Sequence, residues 1–309
     1  MSARKKHLAT LALLTTYFIW GVTIPIIKIT LTEIPPFALA FLRFSAAGLL
    51  ISPIFIFDNF HHPINPKDLP RLIIIAVLGP ALTNVLFYFG VEKTSAIDAG
   101  VIQALFPIGM MLVGATFLNE KIRKLAIAGT IISTIGTILI IGQPLFGLSL
   151  QQALKSLAGD FLIIVSVVTW IAYTIGSKEL FERYSYLTVT AFSFIVAIIA
   201  LAPFAALEYL TQPDWPARIT PVGLLGLTII VVFSSLFAYF FYEWSLKFVS
   251  AHRVGFISHS QPLFTLIAAY ILLSEPIDRY IVAGAALIII GIFAATYHVP
   301  HHHIHRHKL

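Results

Sequence analysis

The sequence has no cysteine and few charged residues. The absence of cysteine excludes thiol catalysis and disulfide bonds, and it leaves the redox compartment undetermined. Charged residues make up 11% of the 309 positions, against roughly 25% in soluble domains, while 58% are hydrophobic and the mean hydropathy is +0.91. Because part of every fold stays exposed, a soluble protein of this length could not hide so much apolar surface. Lipid must therefore solvate most of the molecule.

Motifs that would indicate an enzyme are also missing. The chain contains no H-E-x-x-H, no G-x-S-x-G, no paired aspartates within an apolar run and no nucleotide-binding motif. We therefore expect no catalytic residues, no metal site, no cofactor and no direct use of ATP. The net charge of +6 is spread over short loops, with no basic patch on a soluble face, so nucleic acid is not an expected partner.

Long apolar runs recur along the whole chain. Each is close to the ~20 residues that a helix needs to cross ~30 Å of hydrocarbon, whereas barrel strands would be ~10 residues with alternating polarity. The pattern predicts an all-α polytopic membrane protein with ten transmembrane helices. The first run is too long for the apolar part of a signal peptide, so it is read as an uncleaved helix. The predicted spans are 8–31, 36–57, 71–91, 96–118, 123–142, 159–177, 187–209, 220–246, 252–273 and 278–298.

The basic residues predict the orientation of these spans. If the N-terminus is cytoplasmic, 14 of the 20 lysines and arginines lie on the cytoplasmic side and five on the other side, with Arg43 inside a span. Because lysine and arginine favour cytoplasmic loops, both termini are expected in the cytoplasm.

The two halves of the chain resemble each other in register. An offset of 150 residues aligns the first two spans of each half, and an offset of 155 aligns the next three. Since five spans per copy is an odd number, the second copy would enter the membrane from the opposite side, as in the inverted repeats of secondary transporters. The predicted units are a first repeat (8–142), a second repeat (159–298) and a histidine-rich cytoplasmic tail (299–309). The aligned pairs are Trp20/Trp170, Lys28/Lys178, Pro53/Pro203, Pro107/Pro262, Glu120/Glu275, Gly129/Gly284 and Gly136/Gly291.

Several short stretches resemble the EamA family of the drug/metabolite transporter superfamily. They are Trp20-Gly21, Phe41-Leu42-Arg43-Phe44, the Pro107 helix ending in Leu118-Asn119-Glu120-Lys121, and the corresponding run from Pro262 to Leu273-Ser274-Glu275-Pro276. The resemblance implies a ten-helix basket around a central cavity, lined by the first four helices of each repeat, with the fifth and tenth packed outside. It also implies a prokaryotic inner or plasma membrane.

Members of that family export amino acids, other metabolites or toxic organic compounds. The resemblance therefore implies a secondary transporter that works by alternating access and exports small metabolites or xenobiotics. The alternatives are a sugar-phosphate or nucleotide-sugar carrier of the same superfamily, and a membrane scaffold or receptor that transports nothing. The expected partners are a small-molecule substrate and the lipid bilayer, and a homodimer is left open.

Two polar stripes predict the cavity wall. Pro80, Asn84 and Tyr88 recur every four residues and so share a helix face. The repeat register maps them onto Ser235, Tyr239 and Glu243, so both copies carry polar groups on the same side. Hydrogen bonding between helices is the alternative explanation. For Glu243, an ion pair with Lys247 is favoured over a role in coupling.

A second polar group precedes Pro262. His259 lies about 10 Å deep, where an ionisable residue is by default a functional candidate, and it titrates near neutrality if unperturbed. It either lines the cavity or bridges two helices. Gln261 either lines the cavity or repairs the helix, because Pro262 leaves the carbonyl of Ser258 without its donor.

The remaining candidates are aromatic or basic. Trp20, Trp170 and Tyr173 suit apolar, aromatic or cationic substrates, with core packing as the alternative. For Gln103, which is in register with Ser258, a paired kink is favoured over a cavity role. Arg43 is expected to be structural rather than a substrate ligand, and Glu120 and Glu275 to fix the loops before the fifth and tenth helices.

The predicted site is thus a set of polar and aromatic side chains near the centre of the molecule. The candidates for substrate binding are Trp20, Asn84, Tyr88, Gln103, Trp170, Tyr173, Tyr239, His259 and Gln261, and those for coupling are His259 and Glu243.

Overall fold

The computed structural model describes residues 3–61, 63–116, 124–142 and 150–296. Within these ranges the chain is almost entirely helical and contains no strand. The first half has α1 (Ala3–Thr30), α2 (Pro36–His61), α3 (Leu69–Ala76, π-helical Val77–Thr83 and Asn84–Lys93), α4 (Ala96–Ile102, 3-10 helical Gln103–Leu105 and Phe106–Thr116) and α5 (Lys124–Gly142). The second half has α6 (Leu150–Leu180), α7 (Tyr186–Thr211), α8 (Pro221–Ile229, π-helical Ile230–Phe237 and Ala238–Leu246), α9 (Ala251–Ser258 and Ser260–Leu273) and α10 (Arg279–Thr296).

Most of these helices are long and apolar enough to cross a membrane. In the described part of the chain eight qualify, and α5 and α10 contribute the shorter apolar stretches Ile127–Gly136 and Arg279–Gly291. The chain is therefore a multi-pass membrane protein. The eight spans are His7–Thr30, Pro36–Pro53, Pro66–Lys93, Ala96–Gly114, Ser156–Leu180, Tyr186–Thr211, Pro221–Leu246 and Arg253–Leu273.

Hydroxyl side chains fix where several helices begin. The Ser95 hydroxyl accepts a hydrogen bond from the Asp98 amide (2.8 Å), and the Ser185 hydroxyl accepts one from the Thr188 amide (3.0 Å). Such N-caps satisfy amides that have no partner within the helix. They set the sharp turns before α4 and α7.

The helix bounds follow the same offsets as the sequence. α2 and α7 each have 26 residues, and they start 150 positions apart. α4 and α9 start 155 positions apart. α4 is interrupted at Gln103–Leu105 and α9 at His259, in each case shortly before a proline. The predicted pair of kinks is therefore confirmed.

Glycines allow close packing between particular helices. A Cβ atom on Gly136 would lie 2.5 Å from the carbonyl oxygen of Gly284, and one on Gly291 would overlap the backbone of Gly129. These contacts join α5 to α10, where the small residues let the two helices approach closely. In the same way Gly21 brings α1 against the backbone of α9 at Gln261.

Hydrogen bonds tie helix ends together at one end of the molecule. The Lys28 ammonium donates to the Thr94 carbonyl (2.6 Å), and the Thr94 hydroxyl donates to Asp160 near the start of α6 (2.7 Å). The Glu275 carboxylate accepts from the amides of Ala96 and Ile97 at 2.9 and 3.0 Å. Glu275 thus fixes the loop before α10 to the start of α4, as predicted, while Glu120 lies outside the described residues, as does the histidine-rich tail.

A second set of bonds joins the opposite ends of these helices. The Lys178 ammonium, near the end of α6, donates to the carbonyl of Val249 (2.7 Å), just before α9. The Ser245 hydroxyl, near the end of α8, donates to the carbonyl of Ala9 at the start of α1 (3.1 Å). The start of α1 therefore lies beside the end of α8, at the end of the molecule where α6 finishes.

Candidate functional site

A cavity lies between the two halves of the molecule. The centre of a water molecule could occupy about 90 Å³ of it, several times the ~10–15 Å³ needed to hold one water. Seven helices contribute to its wall, all of them from the first four helices of either half. The lining consists of Tyr17, Trp20, Ile24, Ile27, Arg43, Thr83, Asn84, Phe87, Gln103, Phe106, Trp170, Ser234, Tyr239 and Gln261.

Aromatic rings from both halves form one side of the cavity. The rings of Trp20 and Trp170 meet edge to face with centroids 5.4 Å apart. Tyr239 lies 5.8 Å from the first and 5.6 Å from the second, again edge to face. These are preferred geometries for aromatic contacts. The three rings thus form a packed aromatic surface on this side of the cavity.

The guanidinium of Arg43 lies beside these rings, with its central carbon 5.9 Å from the ring centroid of Tyr239, and is surrounded by polar groups. Its Nε donates to the Ser235 hydroxyl (2.6 Å), and its Nη1 donates to Asn84 Oδ1 (2.8 Å) and to the Tyr88 hydroxyl (2.6 Å). Its Nη2 makes longer contacts, to the hydroxyl of Ser234 (3.2 Å) and to its carbonyl oxygen (3.5 Å). Arg43 is 3% exposed, and none of the ion pairs formed among the described residues includes it.

The π-helical segments position the polar residues around Arg43. In α3 the Asn84 amide donates to the carbonyl of Pro80 (2.9 Å). In α8 the Ser235 hydroxyl donates to the carbonyl of Ile230, five residues earlier (3.1 Å), and the Trp20 indole donates to the carbonyl of Ser234 (3.1 Å). Because π turns widen the helix and free carbonyl groups, they recur at functional sites. Here they present both side chains and carbonyls to the cavity region.

The helix breaks of α4 and α9 bring two amides to the cavity. Gln103 opens the 3-10 turn in α4, and Gln261 lies in the first turn after the break in α9. The Thr265 hydroxyl donates to the carbonyl of Gly21 (3.1 Å), which holds α9 against α1 at this level. Both glutamines line the cavity, so Gln103 lies at the kink and also in the wall.

Three predicted substrate-binding residues lie behind the wall. Tyr88 is fully buried outside the lining, and its hydroxyl accepts a hydrogen bond from Arg43. Tyr173 stacks on Trp170 with centroids 4.9 Å apart. His259 is 3% exposed and sits at the break in α9, outside the lining. The other six, Trp20, Asn84, Gln103, Trp170, Tyr239 and Gln261, line the cavity.

Glu243 occupies a different environment from the one favoured by its sequence neighbours. The predicted ion pair with Lys247 is wrong, because Glu243 is fully buried and accepts a hydrogen bond from the Tyr173 hydroxyl (2.5 Å). The Lys247 ammonium instead lies 5.2 Å from the ring centroid of Tyr186. No described residue donates to the second oxygen of Glu243. Glu243 is therefore a buried acid that does not line the cavity and is connected to the lining residue Trp170 through Tyr173.

Sequence reasoning missed part of the lining, although a signal for some of it exists. Tyr17, Trp20, Ile24 and Ile27 are three, four and three residues apart, which places them on one face of α1. That spacing could have identified the two isoleucines once Trp20 was chosen. Arg43, expected to be structural, lines the cavity; its position as the only lysine or arginine that is not near an end of a predicted span was a signal for this. The other missed residues are Thr83, Phe87, Phe106 and Ser234.

Comparisons with known proteins agree with this architecture. The chain is 29% identical over 293 residues to an uncharacterized transporter of Archaeoglobus fulgidus, covering 93% of this chain and 98% of that protein. It is 28% identical over 293 residues to the uncharacterized transporter YcxC of Bacillus subtilis, covering 93% and 92%. A protein of known crystal structure shares the fold, with a TM-score of 0.69 over 94% of this chain and 96% of that chain at 19% identity.

The match to a family model covers both halves of the chain. The model described as the EamA-like transporter family matches residues 7–142 and again residues 157–297. The two matches include every helix that contributes to the cavity, and their gap falls between α5 and the apolar part of α6. On this coverage, the protein belongs to the EamA-like transporter family.

Proposed function

We propose that the protein is a secondary transporter that works by alternating access and exports small organic metabolites or xenobiotics. The observation that carries this proposal is that positions equivalent by the repeat line one shared cavity. Trp20 pairs with Trp170, Asn84 with Tyr239, and Phe106 with Gln261. A site built from two matched halves can be exposed to either side of the membrane when the halves exchange conformations.

Ten membrane crossings in two inverted repeats, over 8–142 and 159–298, are part of the same proposal. The Lys28–Thr94 hydrogen bond recurs, at the offsets of the repeat, as the Lys178–Val249 hydrogen bond. Thr94 also binds Asp160 near the start of α6, so the end of α1 is joined to the start of α6. These contacts support an antiparallel relation between the two copies. The shorter helices α5 and α10 would be the fifth and tenth spans.

The proposed location is the plasma or inner membrane with both termini in the cytoplasm. The distribution of lysine and arginine supports this orientation. The end of the molecule that would face the cytoplasm carries Arg183, which is bonded to Asp68 (2.9 Å), and the pair formed by Arg71 with Glu179. The histidine-rich tail, 299–309, would lie on the same side.

We further propose that transport is coupled to protons through Glu243 or His259. Both are buried next to residues of the cavity wall. Glu243 lies four residues after Tyr239 on α8 and bonds to Tyr173, which stacks on Trp170. A carboxyl group in this position can take up a proton when the cavity faces one side and release it on the other.

Flux into proteoliposomes tests the proposed function. Purified protein is reconstituted into liposomes that are loaded with one unlabelled solute, and the exchange of that solute for a labelled one outside is measured. The panel of solutes comprises amino acids, aromatic carboxylates, organic cations and sugar phosphates. We expect exchange with at least one of the organic solutes. If correctly folded protein exchanges none of them, the transporter proposal is rejected in favour of a scaffold or receptor.

A further inference from the structure

The charge of the cavity indicates which solutes it accepts, provided that the proposed transport function holds. Among the described residues that line the cavity, Arg43 is the only one with a charged side chain. Its hydrogen-bond acceptors are hydroxyl, amide and carbonyl oxygens, none of which is ionised. A cation held inside a membrane protein without a counter-ion is unfavourable. A bound anion would remove this imbalance.

The hydrogen-bond geometry identifies which part of Arg43 is available. Nε and Nη1 are engaged at 2.6–2.8 Å, whereas Nη2 reaches only Ser234, at 3.2 and 3.5 Å. Charge-assisted bonds to carboxylates are shorter, about 2.7–2.9 Å. A carboxylate oxygen could therefore replace the long Ser234 contacts without breaking the short ones. Ser234 itself lines the cavity, so this edge of the guanidinium faces the substrate space.

The rest of the lining defines the body and the remaining charge of the solute. The rings of Trp20, Trp170 and Tyr239 offer an apolar surface. One guanidinium balances one negative charge, so a phosphate dianion would leave an excess charge in the cavity. No carboxylate belongs to the described lining to pair with an amine. These properties disfavour phosphorylated sugars, organic cations and the ammonium group of amino acids.

We propose that the cavity binds a monoanionic carboxylic acid with an aromatic or branched apolar body, and that Arg43 holds its carboxylate. Arg43 would thus be a specificity-determining residue in addition to stabilising α2 against α3 and α8. The amino acids of the general panel would bind more weakly than the corresponding acids without the amine.

Ligands that share one body and differ in the head group test this proposal. The probes are 3-phenylpropanoate, 3-phenylpropanamide, 2-phenylethylamine, phenylalanine and phenyl phosphate. Because the chain has only four tryptophans, the substitutions Trp215→Phe and Trp244→Phe leave Trp20 and Trp170 as reporters in the cavity wall. Binding is read from the quenching of their fluorescence in the full-length protein near neutral pH. We expect 3-phenylpropanoate to bind at least ~10-fold more tightly than each of the other probes.

Variants of Arg43 complete the test. Arg43→Gln should weaken binding of 3-phenylpropanoate at least ~10-fold, a change of about 1.4 kcal/mol, and leave binding of 3-phenylpropanamide unchanged. Arg43→Lys, which keeps the charge, should recover part of the loss. Arg71→Gln, at an exposed ion pair far from the lining, is the matched control and should behave as the parent protein.

The outcomes separate this proposal from the transporter proposal. Equal binding of the acid and the amide by the parent protein overturns the anion site, even if Arg43→Gln fails to fold. Flux of a neutral or cationic solute with no dependence on Arg43 also overturns it, while the transporter function stands. Arg43-dependent binding without any flux would support the anion site and reject the transporter function.

Discussion

The two halves of the molecule share their backbone plan but differ in the chemistry next to the cavity. Trp20 and Trp170 are identical partners in the wall, and α2 and α7 have the same length. Arg43, however, corresponds to Ser193, which is buried on α7 and uncharged.

A second difference lies in the polar stripes. Tyr88 corresponds to Glu243, so the second half carries a buried carboxyl group where the first half carries a buried phenol. A ligand shifts a conformational equilibrium only by its different affinity for the two states. In the proposed mechanism the repeat supplies two states of similar shape, while the unmatched Arg43 and Glu243 let the two states differ in affinity for substrate and proton.

The largest expected effect concerns the orientation of the two halves relative to each other across the membrane. Thr32, after α1, and Glu182, after α6, are exposed and equivalent by the offset of 150. Because the chain has no cysteine, Thr32→Cys and Glu182→Cys each introduce a single reactive thiol. We expect a membrane-impermeant maleimide to label intact cells almost completely at Thr32→Cys and hardly at all at Glu182→Cys. Permeabilised cells are the control, and labelling of both variants from one side would contradict the inverted arrangement.

The next largest effect distinguishes Glu243 from Tyr88, the equivalent residue in the first half, by the dependence of uptake on a pH gradient. Glu243→Gln removes the only proton-accepting group of that side chain while preserving its shape. We expect uptake driven by a pH gradient to fall at least ~10-fold, with solute exchange at equilibrium retained, because a glutamine amide cannot take up and release the coupled proton. Tyr88→Phe should slow transport but keep the ratio of driven uptake to exchange. The measurement is uptake into proteoliposomes with and without the gradient.

His259 is the competing coupling residue, and the same assay decides between the two. His259→Ala should flatten the pH dependence of uptake if the imidazole carries the proton, with little change if Glu243 does. Melting temperature and elution profile establish that the variant is folded. Gradient dependence retained in both variants would reject both residues as the coupling group, and its absence in the parent protein would indicate a uniporter.

A smaller effect is expected at the matched tryptophans. Trp20→Ala and Trp170→Ala each remove part of the apolar wall together with the edge-to-face contacts to Tyr239 and to the other tryptophan, each contact being worth on the order of 0.5–1.5 kcal/mol. Affinity for 3-phenylpropanoate should fall about 3–10-fold in each, by a similar factor because the positions are equivalent. Trp244→Ala, whose ring packs on Phe248 away from the lining, serves as the control. Calorimetric titration measures the affinities. Affinities that differ about tenfold between the two variants would contradict the equivalence of Trp20 and Trp170.

The smallest effect concerns the helices outside the cavity. Gly136→Leu and Gly291→Leu would force α5 and α10 apart, at about 1–3 kcal/mol for overpacking. We expect the apparent melting temperature in detergent to fall by about 5 °C with substrate affinity unchanged. Ile138→Ala, a lipid-facing position on α5 that is 62% exposed, should have little effect. An equal loss of stability in this control would argue against specific packing by the glycines.

Much of the fold follows from the sequence because each helix must satisfy its own backbone in lipid. Apolar length therefore located the helices, and the offset pairs located the breaks in α4 and α9. For the site, residue types and spacing identified the tryptophan pair and the amides near the breaks. Helical spacing also singled out Asn84 and Tyr239, since both lie on a polar stripe.

What the sequence alone determined about this protein is therefore its class, its helices and its internal repetition, which depend on residues close together in the chain. Only the tertiary structure decided that Arg43 faces the cavity, that Tyr88 lies behind it, and that Glu243 bonds to Tyr173 instead of Lys247. The partners of Arg43 on α8 are 191 and 192 residues away, and Tyr173 is 70 residues from Glu243. Helical periodicity fixes the face of a residue on its own helix, but the packing of distant helices decides what that face meets.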